Sequence, residues 1–396
     1  MFRFTAPPPL SLYVHLPWCV RKCPYCDFNS HQVREPVPED AYVEALLADL
    51  EQELPRVWGR TVQSIFIGGG TPSLFSPRAI DRLLTGVRAR LPCRPGLEVT
   101  LEANPGTVEQ GRFAEFRGAG VNRLSIGVQS FQPELLRRLG RIHDAREAAA
   151  AARAAHQAGL DNFNLDLMFG LPGQSVAAAQ DDLRTAMDLE PAHISFYQLT
   201  LEPNTRFHQQ PPMLPDEEVV ATMQEEGHAR LEAAGYTQYE VSAFARSARR
   251  CAHNLNYWRF GDYLGIGAGA HGKVTDGASQ TIIRRWKVRH PRDYMARAGT
   301  AACGSGESVL SSGDATFEFM LNALRLVEGF TGESFENATG LPLERARPGI
   351  EAGVERGLLE RDGACIRASE AGRRFLNDAI ALFLPEEGAH ARGNGG

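Results

Sequence analysis

Six short runs of apolar and β-branched residues recur along the first half of the chain. They are "SLYVHL" (11–16), "SIFIGG" (64–69), "LEVTLEA" (97–103), "RLSIGVQ" (123–129), "NFNLDLMF" (162–169) and "HISFYQL" (193–199). The first four are nearly continuous in apolar or β-branched residues, as strands buried on both faces are. Between the runs the period changes to that of a helix. "PEDAYVEALLADLEQEL" (38–54) sets Tyr42, Leu46, Asp49 and Leu50 on one face, apolar but for the aspartate. "HDAREAAAAARAAHQAG" (143–159) opens with Asp144 and Glu147 at capping-box spacing and ends on Gly159. "SVAAAQDDLRTAMDLEP" (175–191) stops before Pro191. Strand followed by helix, about six times over, predicts a parallel sheet with helices outside it. Six units are too few for a closed eight-stranded barrel, so a partial barrel and an open doubly wound sheet both fit. Either places the ligand site at the carboxyl ends of the strands. "WCVRKCPYC" follows the first run, "GGGTP" ends the second, "EANPG" the third and "GVQSF" the fourth, so four segments converge on one rim.

After residue 200 the alternation stops. "PDEEVVATMQEEGHARLEAAG" (215–235) predicts a helix and "YTQYEVSAFA" (236–245) a strand. "CAHNLNYWRFGDYLGIGAGAHG" (251–272), rich in glycine and aromatics, reads as irregular functional chain, and "GTAACGSGES" (299–308) as a linker. Helices are expected near 314–327, 343–356 and 369–384, with a hairpin turning at Asp362-Gly363. The expected organisation is a core domain at 1–245, a basic connecting region at 246–306, a smaller α+β domain of winged-helix-like character at 307–385, and a disordered tail at 386–396.

Charge sharpens this division. The 396 residues carry a net charge of −6. Residues 307–396 hold 15 acidic and 9 basic side chains, so they account for all of it. A winged-helix-like module of that sign does not suit nucleic acid, whose phosphates need Lys and Arg. Between Arg246 and Arg292 there are 10 Lys+Arg against 2 Asp, which suggests an anionic ligand or surface, a peripheral membrane contact included, or else a plain solvated face. With no window of about 18 apolar residues, no long apolar leader core, and an odd number of cysteines, a cytoplasmic chain is expected.

Cys19, Cys23 and Cys26 form a Cys-x3-Cys-x2-Cys cluster, and Phe28 stands where one more cysteine would extend it. Three thiolates in one loop converge on one metal centre. Zinc, with His15 or His31 completing four ligands, gives a zinc-structured α/β protein without a redox role. Iron–sulfur clusters are usually held by four cysteines, and with three a [4Fe–4S] cluster keeps one iron open.

The loop resembles the signature of the radical S-adenosylmethionine (SAM) enzymes, Cys-x3-Cys-x-aromatic-Cys, with Tyr25 as the aromatic. The likeness extends over residues 10–385 and is nearest to the oxygen-independent coproporphyrinogen oxidase-like group. It implies a partial (β/α)6 barrel and a [4Fe–4S] cluster on the three cysteines whose open iron is chelated by SAM. It also implies SAM contacts from Tyr13, from Gly69, Gly70 and Thr71 of "GGGTP", and from Glu102, Gln129, Arg141 and Asp166. An external flavodoxin or ferredoxin would supply the electron. The oxidases carry a cysteine at the place of Phe28. "CDFNSH", "HNLNYW" (253–258) and "GIGAGAHG" (265–272) instead resemble the heme-chaperone branch of the same group. That resemblance implies heme binding and delivery to acceptors of the respiratory-chain type, a carrier more than an enzyme. The alternative is radical SAM decarboxylation of porphyrinogen propionates. A heme site wants an axial ligand, an apolar slot and cations for the propionates. His253 is the candidate ligand and Cys251 a second. Tyr257 and Trp258 are candidates for stacking, and "RRWKVRH" for the propionates.

Overall fold

The computed structural model describes residues 1–106 and 111–385, so the expected disordered tail lies outside the described residues. The six predicted strands are all present: β1 (Leu10–Leu16), β2 (Val62–Gly69), β3 (Cys93–Ala103), β4 (Arg123–Gln129), β5 (Phe163–Phe169) and β6 (His193–Gln198). They lie side by side in chain order and every neighbouring pair is parallel. A doubly wound sheet reverses its order at a switch point. This one does not, which makes it the singly wound, barrel-type alternative. Helices Glu39–Glu53, Pro77–Arg90, Phe113–Gly118, Ala145–Gln157, Val176–Asp188 and Glu217–Ala233 line the outside. The capping box at Asp144 and Glu147 is formed.

Alternate strand residues face these helices. Leu12, Val14, Ile65, Ile67, Val99, Leu101, Leu124, Ile126, Leu165 and Ile194 are fully buried in one core with them, each burial contributing about 1.5–3 kcal/mol. The other alternate set, turned inward, is polar. Ser11 bonds Ser64 at 2.8 Å, Asn164 donates to Ser125 and Asp166 at 2.8 Å each, and His193 bonds Asn164 at 2.7 Å. Both faces are buried, as expected, but only the outer one is apolar.

The chain after 236 differs from expectation in three places. Residues 236–245 form two strands, β7 (Thr237–Glu240) and β8 (Ala243–Ala245), an antiparallel hairpin that adds to β6. The glycine-rich stretch is regular. Helix Ala252–Trp258 leads into β9 (Asp262–Ile266), which pairs parallel with the free edge of β1, and β10 (His271–Asp276) follows. Its glycines serve close packing: a Cβ on Gly265 would sit 1.9 Å from the His271 carbonyl oxygen. β11 (Thr281–Lys287) and β12 (Gly304–Val309) complete the sheet, so the predicted linker at 299–308 supplies an edge strand. The twelve strands run β12-β11-β10-β9-β1-β2-β3-β4-β5-β6-β8-β7. The expected connecting region at 246–306 therefore extends the core sheet.

The last part has its own core, built by helices Ser312–Ala323, Gly332–Thr339 and Arg347–Glu355 against a three-stranded sheet that includes the predicted hairpin, Leu359–Asp362 with Cys365–Ala368. The expected helix at 369–384 is two short ones, Glu370–Arg374 and Leu376–Ala381. The chain's first residues reach this core. Phe2 and Phe4 stack and pack against it, the Arg3 amide donates to Gly340 O at 2.8 Å, and the Phe4 amide donates to Gln280 Oε1 at 2.6 Å.

Candidate functional site

The carboxyl end of β1 runs straight into the cysteine loop. A two-rung parallel ladder, Trp18–Cys19 with His31–Gln32, closes the loop at its base. Two backbone bonds reinforce it, His31 N to Pro17 O at 2.6 Å and Val33 N to Cys19 O at 2.8 Å. The tip is anchored by Asn29, whose amide donates to Ala268 O at 2.9 Å and Arg289 O at 2.8 Å. Burial pushes the Cys19 and Cys26 thiols above the usual range, and the charges of the neighbouring thiols push the same way. The three sulfurs are thus within electrostatic reach of one another, although among the described residues no three His, Cys, Asp or Glu side chains stand in a metal-ligand arrangement. Arg141 faces the loop: Nη1 lies 3.7 Å from Cys23 Sγ, and Nη2 donates to Gly127 O at 2.6 Å and Asn104 Oδ1 at 2.7 Å. Its Nε is buried without a partner.

The zinc alternative loses one of its candidate ligands here. His15 Nε2 is bonded to Asn29 O at 2.8 Å and Nδ1 to Tyr13 OH at 2.9 Å, and burial lowers its pKa to about 4.

The "GGGTP" turn fits against the same loop. Gly70 N donates to Leu16 O at 2.8 Å and Thr71 N to Trp18 O at 2.7 Å. A Cβ on Gly70 would stand 2.4 Å from Trp18 O. These two amides hold the cysteine loop down and are not free for a ligand. Gly69 N donates to Glu102 Oε2 at 3.0 Å. Burial raises the Glu102 pKa to about 7, against the Gly69 bond that lowers it and with the charge of Asp166 adding to the rise. A carboxyl raised in the folded state makes stability fall as pH rises from its unfolded value, about 4.3, through about 7. In ligand-free protein, Glu102→Gln is expected to flatten that fall and to gain roughly 4 kcal/mol at pH 8, at 1.36 kcal/mol per pKa unit. Urea unfolding at pH 5 and pH 8 checks this, and an unchanged pH slope would refute it.

The remaining predicted positions reach the same end of the barrel. Gln129, at the end of β4, has φ of 69° and accepts from Tyr197 OH at 2.8 Å. A left-handed glutamine is a strained conformation of the kind that clusters at binding sites. Asp166 accepts from Ser125 at 3.0 Å and Asn164 at 2.8 Å, and burial raises its pKa. Tyr25 packs 6.4 Å from Phe207. Sequence reasoning missed Asn104, which bridges Arg141 to Thr71 Oγ1 (2.9 Å); its place inside "EANPG" was the available signal. It also missed the buried chain Ser125–Asn164–His193–Tyr239 that fixes Asp166, with His193 to Tyr239 OH at 2.8 Å. Above the loop opens a mouth of about 830 Å³, lined by Arg21, Lys22, Cys23, Arg138, Arg206 and Phe207 among others.

His253 is not brought to this rim. Its Nδ1 bonds Ser64 Oγ at 3.1 Å, its ring packs 5.1 Å from Phe66, and its amide donates to Glu98. Ser64 and Glu98 lie toward the opening ends of β2 and β3, so the helix Ala252–Trp258 plugs the far end of the barrel. Burial lowers the His253 pKa to about 4. Cys251 is buried there too, bonded to Glu98 at the far end of the barrel and pushed up to about 12 by burial. Trp258 lies under the Arg325 guanidinium, 4.3 Å away, and Tyr257 packs on Tyr263 at 5.2 Å. Three cations of the basic stretch are not free for propionates: Lys273 pairs with Asp262, Arg284 with Glu318, and Lys287 with Asp49 and Glu53. These three face inward, whereas Arg289 and Arg292 at the end of the stretch are exposed.

A singly wound parallel half-barrel carrying a three-cysteine loop at its carboxyl rim defines a radical SAM protein. Residues 13–186 match the Radical SAM superfamily model and residues 310–375 match that of the HemN C-terminal domain. Over 381 residues the chain is 52% identical to the heme chaperone HemW of Escherichia coli, covering 96% of this chain and 99% of that one. Against the heme chaperone HemW of Bacillus subtilis the identity is 33% over 382 residues, covering 95% and 99%. It is 37% identical to the mitochondrial radical S-adenosyl methionine domain-containing protein 1 of Bos taurus, covering 94% and 87%. The chain belongs to the heme chaperone HemW family. Its fold matches the solved coproporphyrinogen III oxidase HemN of Escherichia coli with a TM-score of 0.79 at 24% identity, covering 95% of this chain and 90% of that one.

Proposed function

We propose that this protein carries heme to heme-accepting proteins, and that Cys19, Cys23 and Cys26 hold a [4Fe–4S] cluster beside bound SAM. The observation that carries the reading is the identity to heme chaperones along the whole chain, with Phe28, 56% exposed, where the oxidases have a further cysteine. The donor set suits such a cluster. Three soft sulfur donors come from one pinned loop, and a guanidinium sits 3.7 Å from one of them. When bound, the cluster supplies a one-electron reductant to SAM. The protein's own residues bind and orient. Glu102, buried at the rim, suits an ammonium group, and Asp166, held by Ser125 and Asn164, suits ribose hydroxyls. Arg141 suits a carboxylate. An acidic donor protein of the flavodoxin or ferredoxin kind fits the cationic mouth around Arg21, Lys22 and Arg206.

The test uses anaerobically reconstituted full-length protein loaded with heme. The carrier reading expects heme to move to a heme-free acceptor, and no decarboxylation of coproporphyrinogen in the presence of SAM and reductant. Turnover of coproporphyrinogen without heme transfer would overturn it in favour of the oxidase. A colourless, zinc-containing product would overturn both.

A further inference from the structure

We propose that the groove between the cysteine loop and the helix Pro291–Arg297 is where this protein holds heme, with His290 as axial ligand and His31 beside it. This rests on the carrier reading and gives it a site. The groove has a volume of about 680 Å³, within the roughly 300–1,000 Å³ typical of cofactor sites.

The three requirements of a heme site meet here. Two imidazoles stand together, the rings of His31 and His290 lying edge to face with centroids 5.5 Å apart. At that separation they cannot sandwich a porphyrin, so one ligates while the other packs beside it. His290 is exposed and precedes Pro291, at the start of a helix that fixes its backbone. His31 Nε2 is buried and has no hydrogen-bond partner among the described residues, while the ring is held by a hydrogen bond to the Arg289 backbone. Trp18 and Met295 supply apolar wall, and Arg34 and Arg292 supply cations for two propionates, one of which would take the place of Glu35, now 3.5 Å from Arg292 on the same wall. The groove is open to solvent along one side, which suits a cargo that must leave.

Position adds a coupling. Trp18 pairs with His31, and Cys19 with Gln32, as successive rungs of one ladder. The strand that carries Cys19 is therefore part of the groove's floor, and Gln32 lines both this groove and the mouth above the cysteines. The cysteine loop and the groove thus share a wall. The buried His253 has no such connection and would need the plug helix to leave the barrel.

Titration of ferric heme into the full-length chain, followed by Soret absorption, tests the site. His31→Ala/His290→Ala is expected to bind about tenfold or more weakly and to lose the imidazole-ligated spectrum, a loss of about 1.4 kcal/mol or more. Added imidazole should restore that spectrum in His290→Ala. Arg34→Glu/Arg292→Glu should keep the spectrum but release heme faster, and His253→Ala should behave as wild type. Circular dichroism matching wild type keeps each variant interpretable. A folded double variant with wild-type spectrum and affinity would overturn the site alone, as would loss of the spectrum in a folded His253→Ala. Wild-type protein that binds no heme would overturn the carrier reading and the site together.

Discussion

Gly70→Ala is expected to abolish cluster assembly while leaving the sheet folded. The substitution adds one carbon, and that carbon would stand 2.4 Å from Trp18 O and 2.7 Å from Trp18 C. Both are backbone atoms, so the clash cannot be relieved by turning a side chain. The strand carrying Cys19 must move away from β2, and the Gly70 and Thr71 amide bonds to Leu16 and Trp18 are lost with it. Three thiols on a displaced loop do not converge on one centre. The core of buried leucines and valines behind β1 and β2 is untouched. Anaerobic reconstitution should therefore give wild type the broad absorbance near 400 nm of an iron–sulfur protein and give Gly70→Ala a small fraction of it, with little change in far-ultraviolet circular dichroism. A Gly70→Ala protein with full chromophore would show that the loop position does not depend on this contact.

The second large effect is on stability. Lys287→Met is expected to cost about 3–5 kcal/mol, the range for removing one partner of a buried ion pair. Lys287 Nζ lies 2.5 Å from Asp49 Oδ1 and 2.7 Å from Glu53 Oε1, and its side chain is 5% exposed. Asp49 also accepts from Tyr294 OH at 2.8 Å, and Gly267 N donates to that same hydroxyl at 3.0 Å. Methionine fills a similar volume but leaves two buried carboxylates facing one another. The network ties the helix Glu39–Glu53 to β11 and to Pro291–Arg297, so its loss loosens the wall beneath the proposed heme groove as well. Urea titration at pH 7 measures the cost. A change under about 1 kcal/mol would mean the pair is far better solvated than its burial implies.

That lysine shows where sequence reasoning ran out. Asp49 on an otherwise apolar helix face was visible as an anomaly, but its partner lies 238 residues away and no periodicity links them. The same distance made Lys287 look like part of a surface patch. The core strands and their common rim were legible because period and length decide them locally. β9 and β10 were not, because "GIGAGAHG" carries the composition of a loop, while its glycines answer to a contact between Gly265 and His271 that exists only in the folded sheet. At the site, the three cysteines, "GGGTP", Glu102, Gln129, Arg141 and Asp166 were readable as motif positions, and the structure brings them to one end. His253 was read from its motif too, but a motif does not say which end of a barrel its helix plugs. His31 and His290 sit 259 residues apart in number, and only the fold sets their rings together.

The clasp made by the first residues bears on how the chain matures. The Phe4 amide waits for Gln280, 276 residues downstream. At a synthesis rate of about 5–20 residues per second, that interval is roughly 14–55 seconds. Over the same period β1 has β2 on one side but not β9 on the other, so one edge of the first strand stays unpaired while the ribosome makes the rest of the sheet. The nascent chain thus passes through a long stage with its cysteine loop emerged and its N-terminal aromatics undocked.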